Sequence, residues 1–182
     1  MKKLAMILAM VSMTSLMGCG FDFLLEPEIN ERAKAVLPGT WSDPSGNVSI
    51  IFDENCQIIG FDFPNLPAEL AELRFDGTTF TLPIPGQELK VSATLMLEVA
   101  TVDEAGNVRV EYRGEVTGFM DIFDPGYVKI ILTGKLDDPS APTSFSGSIA
   151  GYAYPSEFLQ NLIGLAPEIS IADAAHFDAD KS

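Results

Sequence analysis

Histidine occurs once in this chain, tryptophan once and cysteine twice. These scarcities remove several kinds of chemistry. A zinc site takes three or four ligands, mostly nitrogen and sulfur, and His176 with Cys56 cannot supply them. A nucleophilic triad holds its histidine rigidly against two partners, whereas His176 falls in a polar stretch beside Asp173, Asp178 and Asp180. No glycine-rich phosphate loop and no nucleophile elbow occurs. The sequence therefore predicts no catalytic residue, no metal, no cofactor, and a protein that is not an enzyme. Carboxylate chemistry is the enzymatic route left open, and it needs an Asp or Glu buried inside the domain with a raised pKa.

Long apolar runs are scarce too. Residues 4–17 form one, of 14 residues, spanning about 21 Å as a helix against the ~30 Å hydrocarbon core of a bilayer. It follows Lys2 and Lys3 and ends at Gly18-Cys19, the order of a secretory signal peptide and not of a permanent span. Leu16-Met17-Gly18-Cys19 resembles the lipobox of bacterial lipoproteins: an aliphatic residue, a variable one, a small one and cysteine. The resemblance implies cleavage before Cys19, a diacylglycerol on its sulfur and acylation of the new amino terminus. Several acyl chains, at about 0.8 kcal/mol per buried methylene, anchor a protein stably where one does not. Gly20 stands where lipoproteins kept at the inner membrane usually carry Asp, so the resemblance implies the cell outer membrane.

Positive charge is the next shortage: 11 Lys and Arg face 26 Asp and Glu. Removal of residues 1–18 takes Lys2 and Lys3 and no carboxylate, leaving 9 cations against 26 anions, a net charge of −17. Such a surface repels phosphates and argues against nucleic acid; the membrane is met through the anchor instead. The charge either confers solubility and marks turns or forms a footprint for a basic protein partner. With Cys19 lipidated, Cys56 has no partner for an internal disulfide. It occupies the place in Asp53-Glu54-Asn55-Cys56 that a hairpin turn usually gives to glycine.

What the chain has in quantity is strand pattern. Residues 28–37 read as a short helix ended by Pro38-Gly39. Short strand runs follow at 48–52, 56–63, 74–75 and 78–82, the last two flanking an Asp76-Gly77 turn. Four long runs come next: 88–101, 107–121, 127–136 and 143–154, separated by Asp, Gly and Pro turns. Leu89, Val91, Leu95, Leu97 and Val99 share one parity; so do Val108, Val110, Tyr112, Val116 and Met120, and Val128, Ile130, Leu132 and Leu136. Arg109, Glu111, Arg113 and Glu115 take the opposite parity. Long strands greasy on one side must curl that side inward, and residues 39–154 suffice for about eight strands of a barrel. A transmembrane barrel would place those four charges in a narrow lumen, and the anchor makes a span unnecessary. The pattern predicts residues 19–38 as tether and short helix, 39–172 as an all-β antiparallel up-and-down barrel of about 8–10 strands with a short helix near 155–165, and 173–182 as a loose acidic tail. A β-sandwich is the alternative.

Gly39-Thr40-Trp41, placed before this run of strands, resembles the G-x-W opening of lipocalins, where the tryptophan closes the barrel floor. The short helix before it and the helix with a final strand after residue 154 fit the same plan. Lipocalins usually carry an Arg late in the barrel over that tryptophan, and none follows Arg113 here. The resemblance implies a lumen for a small apolar ligand, lined by residues such as Trp41, Leu95, Leu97, Val110, Tyr112, Val116 and Ile130. Gly114, Gly118, Gly134, Gly147 and Gly151 share the inward parity, where glycine either bends a strand or leaves room for a ligand. A non-enzymatic envelope lipoprotein that binds another protein, as inhibitor or assembly factor, is the competing reading.

Overall fold

The computed structural model describes residues 26–63, 66, 70–83, 90–117 and 126–182. The signal region, Cys19, Gly118 and Met120 lie outside them. Among these residues ten strands form one sheet: β1 (Glu28–Ile29), β2 (Gly39–Ser42), β3 (Ser49–Phe52), β4 (Ile58–Asp62), β5 (Thr79–Pro83), β6 (Lys90–Val102), β7 (Asn107–Thr117), β8 (Gly126–Leu136), β9 (Ser144–Pro155) and β10 (Ile169–Lys181). Two short helices join them, α1 (Glu31–Val36) and α2 (Glu157–Ile163). The spatial order is β1-β6-β7-β8-β9-β10-β2-β3-β4, with β5 also on β6. Antiparallel neighbours therefore run from β5 to β10, and β10 returns to β2 through the pairs Asp180–Ser42 and Lys181–Trp41. Among the described residues no ladder joins β4 to β5, so the sheet is curled but open at that seam. The alternative of two facing sheets is not what forms.

Alternation sets the curl. Val108, Val110 and Tyr112 of β7 and Val128, Ile130, Leu132 and Leu136 of β8 are buried in one core, while Arg109 and Lys135 face solvent. Val110 and Ile130 are 0% and 1% exposed, as an inward apolar face requires. Aromatic rings run through that core in an unbroken chain. Trp41 meets Phe145 at 5.6 Å between centroids, Phe145 meets Phe177 at 5.0 Å, and Phe177 meets Phe63 at 5.5 Å. Phe63, Phe61, Phe75 and Tyr112 continue it at 4.6, 5.0 and 4.7 Å. Each such pair contributes about 0.5–1.5 kcal/mol beyond its area.

Several sequence expectations need correction. The helix expected over 28–37 is shorter, because Glu28 and Ile29 pair in parallel with Val99 and Ala100. Asn30 then caps α1, its side chain accepting from Ala33 N at 2.8 Å and its Nδ2 donating to Val102 O at 2.9 Å. Val99 is not on the inward parity. The β6–β7 register slips between Leu97–Tyr112 and Val99–Glu111, a bulge at Glu98, and the buried positions change from Leu95 to Ala100 and Val102. The expected strand 56–63 starts later, since Cys56 lies in the turn with φ of 59°, the left-handed region that favours glycine. Residues 173–182 are not a loose tail but most of β10, with Phe177 and Ala179 buried and His176, Asp178 and Asp180 exposed.

The inward glycines make strands approach instead of leaving space. Gly134 and Gly147 face each other across β8 and β9, and a Cβ on Gly134 would sit 2.4 Å from Phe145 Cε2 and from Ser146 O. At Gly151 the room is taken by Leu70, whose Cδ2 lies 3.0 Å from the Cβ position.

Candidate functional site

Of the residues expected to line a lumen, Trp41, Leu95, Val110, Tyr112 and Ile130 are buried in the core, and Leu97 and Val116 are half-buried against it. The structure brings them to one interior, yet Leu70, Leu73, Phe75 and Phe80 join the same cluster and pack it. Tyr112 spends its polar atom on the fold, its hydroxyl oxygen accepting from Ile58 N at 2.6 Å. Burial raises its pKa. Cys56 is also sealed in, and burial, with Asp53 adding, raises its thiol to about 11, so it is inert at neutral pH.

Leu97 is where this interior meets the outside. A cleft of about 750 Å³ opens beside it, bordered by Glu26–Ile29, by Asn55 and Gln57 of the β3–β4 turn, by Met96–Val99 and by Glu111, Arg113, Glu115 and Lys129. The bulge at Glu98 builds this place. It turns Glu98 and Val99 to the same side, next to the outward residues of β7 and β8. Pro27, Ile29, Met96, Leu97 and Val99 supply apolar wall, Asn55 and Gln57 supply amides, and the rest is charge.

That charge is organised. Lys129 Nζ lies 2.7 Å from Glu98 Oε2 and 3.1 Å from Glu111 Oε2. Arg109 Nε pairs with Glu111 Oε1. Arg113 approaches Glu115 at 3.3 Å and Glu98 at 3.9 Å, with its guanidinium 4.1 Å above the Tyr127 ring. Glu111 is only 5% exposed. Burial alone would raise its pKa, but hydrogen bonds and charge from Arg109 and Lys129 outweigh this and hold the carboxyl below its usual value. Lys129 is likewise pulled down by burial and carried above its usual value by Glu98 and Glu111. Three cations against three anions give a neutral, fixed array of dipoles. Among the described residues no three His, Cys, Asp or Glu side chains gather to hold a metal.

Sequence reasoning placed Arg109, Glu111, Arg113 and Glu115 on the outer face but missed that the last three border a cleft. The signal was there: alternating charge sign at every second residue of one strand, with Lys129 opposite, is the pattern of a cross-strand ion ladder. It also missed Lys181. From the last strand its ammonium stands 5.0 Å over the Trp41 ring and donates to Val36 O at 2.6 Å, while Trp41 Nε1 donates to Leu37 O at 2.8 Å. Two carbonyls at the C-terminus of α1, with no partner inside the helix, are thus satisfied by the sheet they close. Compared with protein-family models, curated proteins and solved structures, the chain matches none.

Proposed function

We propose that this chain is a non-enzymatic, lipid-anchored envelope protein, held at the cell outer membrane through Cys19, that binds a small molecule in the cleft beside β6. The cleft itself carries the reading. Its volume of about 750 Å³ falls within the few hundred to about 1,000 Å³ usual for ligand sites. Ile29, Met96, Leu97 and Val99 fit an apolar body, and the Glu98–Lys129–Glu111 array fits a polar end. A lipocalin-like plan is the finer reading of the fold. It is supported by Trp41 at the opening of β2 with the late cation Lys181 above it, lysine standing where lipocalins usually have arginine. Glu111 supports the non-enzymatic reading: the buried carboxylate faces the outer array, with its pKa lowered where a general acid needs it raised.

Full-length protein extracted from membranes in mild detergent and sprayed under native conditions tests this. The wild type is expected to carry a discrete added mass that Leu97→Trp, which fills the cleft, does not retain. A wild type free of added mass overturns the ligand; a mature amino terminus free of acyl groups overturns the anchor. The acidic turns Asp53-Glu54, Asp103-Glu104 and Asp137-Asp138, all at the end of the sheet closed by α1, favour a second reading, a basic protein partner. Salt-sensitive co-purification of such a protein supports it, and no partner at low salt removes it.

A further inference from the structure

We propose that the end of the sheet bearing α2 is the end turned to the membrane, with Phe158 and Leu162 seated in the bilayer interface. This rests on the reading of Cys19 as the lipidated residue.

The first argument is direction and reach. β1 runs parallel to β6, with Glu28 opposite Val99, and Glu26 and Pro27 border the same cleft as Met96–Val99. The backbone ahead of β1 therefore heads toward the start of β6, away from α1. Cys19 lies nine residues before Glu28, and nine residues span at most about 30 Å. Nine residues back along β6 from Val99 is Lys90, the first residue of that strand. An extended segment between Cys19 and Glu28 is therefore long enough to reach the level of the α2 end, where β6 starts, β9 stops and β10 begins.

The second argument is the unlike chemistry of the two ends. Every turn at the α1 end opens on carboxylates: Asp53-Glu54, Asp103-Glu104, Asp137-Asp138. At the α2 end, Phe158 is 44% and Leu162 59% exposed, and their spacing of four puts them on one side of α2. Between them Leu159 is buried at 6%, while Phe158 and Leu162 are turned out. Among the described residues the other exposed large apolar side chains, Ile59 and Met96, stand singly on β4 and β6. A chain of net charge −17 that must sit close to lipid headgroups places its acidic end outward and its apolar end inward. Glu157 and Glu168 lie at the α2 end too, which sets the depth: the interface and not the hydrocarbon core.

The experiment uses full-length lipidated protein in phosphatidylcholine vesicles whose acyl chains are brominated near the headgroup, a quencher of tryptophan emission. Trp41, buried beside α1 at the far end, is the internal reference. Leu162→Trp and, independently, Phe158→Trp are expected to add blue-shifted emission that brominated lipid removes, while Glu104→Trp adds emission that it does not. Mass spectrometry first establishes acylation of Cys19. An unacylated cysteine overturns the anchor and this orientation together. An acylated protein in which Glu104→Trp is quenched, or in which neither α2 variant is, overturns the orientation and leaves the anchor standing.

Discussion

Lys181 offers the sharpest test of how the sheet is closed. Lys181→Met keeps most of the aliphatic stem that packs near Gly39 and deletes the ammonium. Three contributions go with it: a hydrogen bond from a charged donor to Val36 O, worth about 1.5–3 kcal/mol; the cation over Trp41, about 0.5–1 kcal/mol at a partly exposed site; and a favourable charge at a helix C-terminus, about 0.3–1 kcal/mol. They overlap, because one ammonium makes all three, and Lys181 is half-buried. The net expectation is a loss of about 2 kcal/mol, which in a chain of this size lowers Tm by about 4–8 °C. Val36 is 3% exposed, so little water reaches the abandoned carbonyl. Urea unfolding followed by Trp41 emission measures the free energy and reports on the indole's surroundings. Lys181→Arg, with a donor of the same charge, is expected to recover most of the loss. A Lys181→Met protein within about 0.5 kcal/mol of wild type refutes the claim that this cation holds the end shut.

Other consequences follow from the same geometry. Tyr112→Phe removes the acceptor of the Ile58 amide and is expected to cost about 1–3 kcal/mol, with faster hydrogen exchange at Ile58; unchanged exchange there counts against the bond. Gly134→Ala drives a methyl into Phe145 and Ser146 O and is expected to destabilise by about 1–3 kcal/mol, read as a lower urea midpoint. Glu111 carries a pH signature. Its folded pKa lies below the ordinary 4.5, so the unfolded chain binds the proton first as pH falls. The stability it contributes is present above 4.5 and is lost as pH drops through the folded value. Urea midpoints of wild type and Glu111→Gln should therefore converge on acidification; a gap that stays constant with pH refutes the pairing.

The strand half of this fold was legible because β7 and β8 alternate: Val108, Val110, Tyr112, Val128, Ile130, Leu132 and Leu136 on one side, with Arg109, Glu111, Arg113, Glu115, Lys129, Thr133 and Lys135 on the other. β10 was not, because its inward residues include Ala175 and Ala179, which carry too little apolar surface to mark a face. Its outward Asp178 and Asp180 also read as solvent-loving tail. What makes it a strand is non-local, since β9 and β2 supply its partners on both sides and no local preference reports that. The packed interior was hidden for a related reason. Leu70, Leu73 and Phe75 fill it from a stretch between β4 and β5, and an apolar residue outside a strand says nothing by itself about where it inserts.

The cleft was beyond sequence reading for a more specific reason, and that reason unites its parts. Residues 95, 97 and 99 of β6 are all apolar, so strict alternation turns all three inward and puts Met96, Glu98 and Ala100 outside. With the bulge, Ala100 and Val102 take the inward places instead, which suits a crowded end of the sheet where Asn30 and α1 already press on β6. The displaced Val99 then becomes the edge on which β1 pairs, next to Glu98, which meets Lys129 and Arg113. One inserted residue thus seats the N-terminal segment and opens a wall of Leu97 and Val99 beside the ion ladder. Bulges bend a strand at the cost of ladder bonds. Here the lost pairing is set against two gains at one spot, which is the economy expected of a site and not of a defect.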